Sequence, residues 1–447
     1  MATSDQPGAG SSQSAGPQRP VPAARSEAGR GAAGAHLWLT EVTGSRVVDR
    51  SGETLGRVED VIVRFGAGDY PPVTGLVARL AGRQVFLPRD RVGEISRGQV
   101  RLQGETLSLL RFERRQGEVL LRRDVLGRRM INVEDGTLIS AGDIQLAQVR
   151  GAWRIVGVDP GRGGGFARLL RLPHRPHHNG RIVDWSQVEP FVRHVPASRL
   201  LMPLRRLRRL HPAEIADIVE QASHEEGEEI ISAVHADPEL EADVFEELNT
   251  EHQVEFLRSR SDADAAAVLA EMGSDDAADL ITELDQERRA PILAQLPPAK
   301  QAKVRALLSY SPESAGGLMS PDYVAVPVAA TVAEALAAVR SADLSPQVLT
   351  DVFLVEAEGR LVGAAPLVSL IQASETDGLS DLVQRGDTAL ELDDDLPEVA
   401  RLMTDFNLSV APVVDDERRL VGVISVDDVL EAILPDSWRR RAEADHD

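Results

Sequence analysis

The chain has 447 residues, no cysteine and a formal net charge of −22 at pH 7. This length predicts several domains, since a single hydrophobic core stops growing at roughly 250–300 residues. The lack of cysteine excludes disulfides and thiolate metal sites, and the sequence has no run of about 18 apolar residues from which to build a membrane-spanning helix. It also has no export signal, so we expect a cytoplasmic protein, with peripheral attachment to the inner face of the membrane as an alternative.

The charge changes sign near His211. Residues 1–210 contain 33 basic and 20 acidic residues, a net of +13, whereas residues 211–447 contain 16 and 51, a net of −35. A change this abrupt indicates a boundary between units with different partners. The acidic part repels itself, and added cations should screen that repulsion. Only Lys300 and Lys303 among the 49 basic residues are lysines, a bias typical of a GC-rich bacterial genome.

Residues 1–36 predict a disordered tail, because they are rich in small and polar residues and lack an apolar core segment. Residues 37–118 then contain about six short apolar runs separated by turn residues, a pattern that predicts a small β-barrel. The segment resembles a PRC-barrel domain in four features: the DRSG turn at 49–52, Gly56, Asp60 and the LPRD segment at 87–90. Barrels of this kind serve several functions, so the resemblance implies a fold without fixing a role.

A weaker copy of the barrel pattern follows at residues 119–200, where we expect a second PRC-barrel-like domain. An insert rich in Arg and Gly at 161–181 interrupts this copy. The insert contains three histidines, His174, His177 and His178. They have no acidic or cysteine neighbours within the insert, so we interpret them as surface residues rather than as a metal site.

Residues 205–318 predict a stack of short helices. Apolar residues recur there at i, i+3 and i+4, and Pro or Gly-Ser breaks separate the segments. Three segments, in this order, resemble the amino-terminal domain of the MgtE family of magnesium channels: HPAEIADIV (211–219), MGSDDAADLITEL (272–284) and SPESAGGLMSPDYV (311–324). The resemblance implies an all-α domain of stacked helices.

Residues 319–435 contain an internal repeat, in which EGRLVG (358–363) recurs as ERRLVG (417–422). A strand-like run precedes each copy, and an apolar segment that leads into a helix follows it. This arrangement resembles a tandem pair of CBS domains, at 319–374 and 375–435.

Together the patterns predict a multidomain α+β protein: small PRC-like β-barrels, an all-α stacked-helix domain and then an α/β tandem CBS pair. In the MgtE family the CBS pair leads into transmembrane helices. Here a polar tail follows at 436–447. We therefore expect the sensor of a magnesium channel without its pore.

The second CBS copy has Ser425 three residues before Asp428, at the start of a predicted helix. In nucleotide-binding CBS domains a Ser or Thr contacts a phosphate and this Asp accepts the ribose hydroxyls, so the resemblance implies a site for ATP, ADP or AMP. The free N–H groups of a helix start favour an anion there. The first copy has Pro366 and Ser369 at the matching places, so at most one site per chain is intact. Alternatively, Ser425 only caps its helix.

Acidic residues predict a magnesium-responsive surface. Asp275 and Asp279 share a helix face at i, i+4, where like charges repel unless a cation lies between them. In the MgtE family, Mg²⁺ bridges acidic residues of the helical domain and of the second CBS domain. The resemblance places such acidic positions on three residues here: Asp395, Asp428 and Glu431. Pro397 and Asn407 replace two others. Magnesium keeps several waters and takes one or two carboxylates directly, so hydrated ions could bridge the faces. The alternative is a solvated acidic face.

A basic segment joins the barrels to the helices. It contains four arginines: Arg205, Arg206, Arg208 and Arg209. Together with the insert they could contact RNA phosphates or an anionic lipid surface, although no aromatic residues are interleaved to stack on bases. We favour the alternative that this linker docks on the acidic half of the protein itself. The sequence contains no nucleophile–base pair and no Gly-rich phosphate loop before a helix, so we expect no enzyme.

The function predicted from the sequence is that of a soluble magnesium-sensing regulatory protein related to the cytosolic sensor of MgtE channels. We expect Mg²⁺ as its ligand, an adenylate as a second ligand, and a homodimer formed through the CBS pair. Two alternatives stay open. One is a subunit that acts in trans on a separate membrane magnesium transporter, and the other is an RNA- or ribosome-associated factor that uses the barrels.

Overall fold

The computed structural model of the chain describes residues 36–65, 68–103, 112–115, 117–160, 182–191, 204–342, 344, 346, 348–383 and 388–434. Three predictions therefore fall outside the described residues: the tail before His36, the insert at 161–181 with its three histidines, and the tail at 436–447. Within the described ranges, no helix is long and apolar enough to cross a membrane. The predicted fold class is confirmed, because strands come first, then helices, then two α/β units.

The first part of the chain is built from short strands. They are β1 His36–Trp38, β2 Arg46–Val48, β3 Thr54–Arg64, β4 Val73–Leu80, β5 Arg83–Pro88, β6 Val92–Ser96, β7 Gln99–Leu102, β8 Glu118–Leu120, β9 Arg129–Asn132, β10 Thr137–Ser140, β11 Asp143–Val149, β12 Ala152–Asp159, β13 Val183–Asp184 and β14 Val188–Pro190, with helix α1 Leu39–Val42 after β1. The first barrel is a seven-stranded sheet in the order β5-β4-β3-β2-β7-β6, and β8 pairs with β3. The second combines the sheets β1-β11-β12-β13 and β10-β9-β14.

The two barrels are interlocked. β1 precedes the first barrel in sequence but pairs with β11 of the second, where Trp38 lies opposite Gln145. One hydrophobic core contains buried residues of both barrels, from Leu37 and Val61 to Ile155 and Trp185. The boundary predicted between residues 118 and 119 runs within β8. The barrels therefore pack as one body.

The second part is an all-α stack. Its helices are α2 Leu204–Leu207, α3 Pro212–Gln221, α4 His224–Val234, α5 Pro238–Glu247, α6 Thr250–Arg258, α7 Asp262–Glu271, α8 Ser274–Glu283, α9 Gln286–Gln295 and α10 Pro298–Leu307. Alternate helices pack on each other, α3 on α5, α5 on α7 and α6 on α8, as in a two-layered solenoid. The i, i+3, i+4 residues form its core, as Ile215, Ile218 and Val219 of α3 do.

The third part consists of two α/β units with one topology. The first contains β15 Ala325–Pro327, α12 Val332–Ser341, β16 Asp351–Val355, β17 Leu361–Pro366 and α13 Leu367–Gln372; the second contains β18 Leu390–Glu391, α14 Leu396–Phe406, β19 Val410–Val414, β20 Leu420–Ser425 and α15 Val426–Ile433. In each unit the first strand is parallel to the second, and the second is antiparallel to the third. The units join through a core of Phe353, Val410, Leu420 and Val423.

The exit from the helical stack is fixed to the second unit. Helix α11, Ala315–Leu318, follows α10, and the Ala315 N–H donates to the Asp394 carbonyl at 2.8 Å. Ser320 and Val423 exchange backbone hydrogen bonds of 2.8 and 2.9 Å. Val429 of α15 is buried in the same hydrophobic core as Ala278 of α8. The connection therefore places the start of α15 beside α8.

The second barrel is joined to the first helices of the stack. Ile131, Val133 and Phe191 of the barrel are buried in one core with Leu207 and Leu210. At the edge of this contact, Arg129 lies 3.3 Å from a Glu226 carboxylate oxygen and donates to the Gln221 carbonyl at 3.0 Å. The basic and acidic parts of the sequence thus meet directly.

Candidate functional site

Helix α8 begins with carboxylates. Asp275 and Asp276 lie in its first turn, where their charge suits the free N–H groups and the helix dipole. The N-cap Gly273 donates its N–H to a Glu246 carboxylate oxygen at 2.6 Å, which brings the end of α5 to the same place. A third carboxylate, Asp279, follows one turn later on α8. The helical stack therefore presents several acidic side chains at one end of a helix.

The second CBS unit adds carboxylates to the same place. Asp428 and Glu431 of α15 are electrostatically coupled to the α8 carboxylates. We call the following set the acidic interface: Glu246, Asp275, Asp276 and Asp279 of the helical stack with Asp428 and Glu431 of the second CBS unit. Asp275, Asp276 and Asp428 are half-buried, whereas Asp279 and Glu431 lie at the exposed rim.

The pKa values of Asp275, Asp276 and Asp279 are raised. Burial raises the pKa of Asp275 to about 7, and the neighbouring Asp428 and Asp322 add to the rise. Burial, followed by the charge of Asp275, holds the pKa of Asp276 well above its usual value of 3.8. At the rim, desolvation and then Glu431 and Glu283 raise the pKa of Asp279 to about 6. Ionising the interface is therefore unfavourable unless a proton or a cation compensates it.

The two remaining half-buried carboxyls follow the same rule. Burial raises the pKa of Asp428, although hydrogen bonds from Ser425 oppose the shift. Burial also raises the pKa of Glu246, against the Gly273 N–H that stabilises its charge. Within the described ranges no three carboxylate or imidazole groups converge as direct ligands of a metal ion.

Four of the five residues predicted as magnesium ligands come together: Asp275, Asp279, Asp428 and Glu431. Asp395 lies at the start of α14 instead. Its side chain accepts the Glu398 N–H at 3.0 Å and caps α14, and its backbone bridges to Ser314. Sequence reasoning missed Asp276 and Glu246. Asp276 could have been predicted, because it is adjacent to Asp275 at the start of α8. Glu246 could not, because it lies at the end of α5 and reaches α8 only through the tertiary fold.

The residues predicted to bind an adenylate contact each other. The Ser425 hydroxyl donates to the Asp428 carboxylate at 2.7 Å and accepts the Asp428 N–H at 3.2 Å, while the Ser425 N–H donates to the same carboxylate at 3.0 Å. This is a capping box at the start of α15. Asp428 thereby links the cap of α15 to the acidic interface.

The basic linker is engaged within the chain. Arg206 donates to the Val188 carbonyl and lies 3.4 Å from Glu189 and 3.7 Å from Asp69, all in the barrels. Arg208 pairs with Asp237 of the helical stack. The linker therefore contacts the acidic half through Arg208 and the barrels through Arg206. The side chain of Arg205 lies outside the described part of the structure.

The fold and site together define a multidomain assembly in which a helical stack lies against a pair of α/β units across an acidic interface. Family models match three segments of the chain: the PRC-barrel domain at 39–104, the MgtE intracellular N domain at 210–313 and the CBS domain at 379–435. The three predicted resemblances are confirmed over these segments.

Curated relatives are magnesium transporters. The chain is 41% identical to "Magnesium transporter MgtE" of Thermus thermophilus over 130 residues, which is 29% of either protein. It is 28% identical to "Magnesium transporter MgtE" of Bacillus subtilis over 205 residues, 46% of this chain and 44% of that protein. The chain thus spans less than half the length of these relatives.

Solved structures of similar sequence include "Crystal structure of the cytosolic domain of the Mg2+ channel MgtE in complex with ATP". It is 31% identical, with a TM-score of 0.48, and the match covers 52% of this chain and 93% of that one. "Crystal structure of the soluble part of a magnesium transporter" is 26% identical, with a TM-score of 0.47 and coverage of 51% and 90%.

Proposed function

We propose that this protein senses magnesium. Mg²⁺ bridges the acidic interface and holds the helical stack against the second CBS unit. When the ion is lost, the carboxylates repel each other, and the helical stack separates from the second CBS unit. A partner protein responds to this change. The observation that carries this proposal is that carboxyls from two domains, with raised pKa values, share one partly buried interface. The role is regulatory rather than catalytic.

The chemistry of the interface favours magnesium over simple screening. A hydrated divalent ion can contact carboxylates of both domains through its own waters, and it supplies two positive charges where partial burial strengthens electrostatic interactions. Monovalent salt mainly screens exposed charges beyond about 8–10 Å and acts less on buried ones. A specific response to Mg²⁺ therefore distinguishes a bridged interface from a merely acidic surface.

The test compares MgCl₂ with NaCl of matched ionic strength. Millimolar Mg²⁺ should compact the chain in small-angle scattering and raise its melting temperature more than NaCl does, since a ligand of the closed form stabilises that form. Asp395→Asn is a matched control, because it removes one CBS carboxylate outside the interface and asparagine also caps helices. The control should respond like the wild type. Equal responses of the wild type to both salts would overturn the proposal.

The CBS pair supports a homodimer in this proposal. α13 and α15 follow the last strand of their units and expose apolar side chains, with Val368 and Ile371 60% and 67% exposed and Leu430 and Ile433 48% and 51%. Adjacent exposed apolar residues of this size indicate an interaction surface, and a two-fold dimer is the commonest assembly.

We expect sedimentation of the chain as a dimer at micromolar concentration. The double variant Val368→Asp/Ile371→Asp should be a monomer, because dimerisation would bury two charged side chains in the interface between the two copies. Ile182→Asp alters an apolar residue of the barrel that is 44% exposed, and it should leave the dimer intact. A wild-type monomer at tens of micromolar contradicts this part of the proposal.

The partner and a second ligand complete the proposal. We propose that the partner is a membrane protein involved in magnesium transport, because the curated relatives are magnesium transporters.

An adenylate that binds Ser425 and Asp428 would have to open the capping box that joins these two residues. Contact of the linker with RNA is less favoured, because Arg206 and Arg208 are paired within the chain. Co-purified membrane proteins, compared with co-purified rRNA, separate these partners.

A further inference from the structure

The two lysines of the chain lie beside the acidic interface. All other basic residues among the 49 are arginines, yet Lys300 and Lys303 sit three positions apart on one face of α10. Both side chains point toward the beginning of α8 and the segment that leads into the CBS pair, where they meet the groups described below. Their position, rather than their number, suggests a role in the interface.

Lys303 joins three segments. Its ammonium group lies 2.5 Å from one Asp322 carboxylate oxygen, and the Ser274 hydroxyl donates to the other at 3.0 Å. Asp322 belongs to the connection between the helical stack and the first CBS strand, while Ser274 is the first residue of α8. The contact therefore fixes the connection against both α8 and α10 next to Asp275.

Lys300 holds the turn that precedes α8. Its ammonium group donates to the Met272 carbonyl, one residue before Gly273, whose N–H donates to Glu246. Burial lowers the pKa of Lys300, and the charges of Asp322, Asp275 and Glu246 oppose that shift. A positive group is thus built into the protein between carboxylates of α5, α8 and the CBS connection.

We propose that Lys300 is a fixed cation of the acidic interface and sets how much magnesium the interface needs in order to close. This inference rests on the proposed magnesium sensing. The ammonium group supplies one positive charge that would otherwise come from solution, so the closed form needs fewer bound ions. A compact ammonium also fits beside a hydrated ion more readily than the broad guanidinium fork of arginine.

The test is the magnesium dependence of compaction in the full chain. Lys300→Met should raise the Mg²⁺ concentration at half-compaction by about tenfold, the value of one hydrogen bond to a charged group. Lys300→Arg should shift it less, since the charge remains. Arg305→Met is the matched control, because it removes one exposed positive charge from the same helix. It should leave the midpoint unchanged.

The outcomes separate this inference from the proposed function. If the wild type responds equally to MgCl₂ and NaCl, the sensing proposal fails. If the wild type responds specifically but Lys300→Met keeps or lowers the midpoint, the fixed-cation inference fails. Should Lys300→Met not fold, acylation of the folded wild type with acetic anhydride neutralises the lysines without mutation. A midpoint unchanged after complete acylation of Lys300, verified by mass spectrometry, likewise overturns the inference.

Discussion

Replacing Asp275 and Asp276 with asparagine should close the acidic interface without magnesium. Asparagine has nearly the shape of aspartate but cannot ionise, so the double variant removes the repulsion that burial and Asp428 create. At neutral pH the gain should be roughly 2–4 kcal/mol, because each unit of pKa shift corresponds to about 1.4 kcal/mol. The variant should be compact and more stable than the wild type in EDTA, and it should lose most of its response to Mg²⁺.

The same carboxyls predict a pH dependence. A carboxyl whose pKa is higher in the closed form than in the open form contributes stability below its ordinary pKa of about 4 and loses it as the pH rises through the raised value. For Asp275 and Asp279 the raised values are about 7 and about 6. In EDTA, the melting temperature should therefore fall between pH 5 and pH 8, and the increment from Mg²⁺ should grow over the same range.

Melting curves with and without Mg²⁺ across this range measure the effect. Asp275→Asn/Asp276→Asn should flatten both trends, whereas Asp395→Asn should retain them. A wild-type melting temperature in EDTA that rises with pH between 5 and 8 contradicts the assignment of these carboxyls, since the sign of the dependence follows directly from the direction of the pKa shifts.

Most of the correct predictions of fold and site came from local sequence patterns. The helical periodicity of the stack and the repeated EGRLVG segment specify elements through nearest neighbours in sequence, and the structure contains both. Asp275 and Asp279 could be found because i, i+4 spacing places them on one face. Asp428 and Glu431 came from the resemblance to a family whose second CBS domain carries acidic positions.

What could not be predicted depends on contacts between distant segments. Nothing local to β1 shows that it pairs with β11 rather than within its own barrel. Asp395 and Asp428 both lie at the start of a CBS helix, but the charge that acts on Asp275 and Asp276 is that of Asp428. The charge boundary near His211 suggested units with separate partners. In the structure the two sides attract, and Arg129 pairs with Glu226 across them.

The sequence predicted least about the junction between the barrels and the helical stack. Glu189 is 4% exposed, and Glu189 Oε2 has no hydrogen-bond partner within the described structure. Burial raises the pKa of Glu189 to about 7, and the Arg206 guanidinium opposes the shift. The positive charge of Arg206 therefore stabilises the buried Glu189 carboxylate at the junction between the barrels and the helical stack.

Arg206→Met should destabilise the protein by about 3–5 kcal/mol at pH 8, because removing one partner leaves a buried charge uncompensated. The loss should be smaller at pH 6, where Glu189 binds a proton instead. Adding Glu189→Gln to Arg206→Met should restore much of the stability, since no charge is then left behind. Thermal and urea unfolding at both pH values measure these differences.

Arg208→Met is the matched control for this junction. Arg208 belongs to the same linker, but its side chain is 56% exposed in its pair with Asp237, and exposed pairs contribute only about 0–1 kcal/mol. Both single variants should keep the magnesium-dependent compaction, because Arg206 pairs with Glu189 and Arg208 with Asp237, and neither partner belongs to the acidic interface. If Arg206→Met and Arg208→Met have the same small effect, Glu189 is neutral in the wild type and the junction rests on its apolar contacts of Ile131, Val133 and Phe191 with α2.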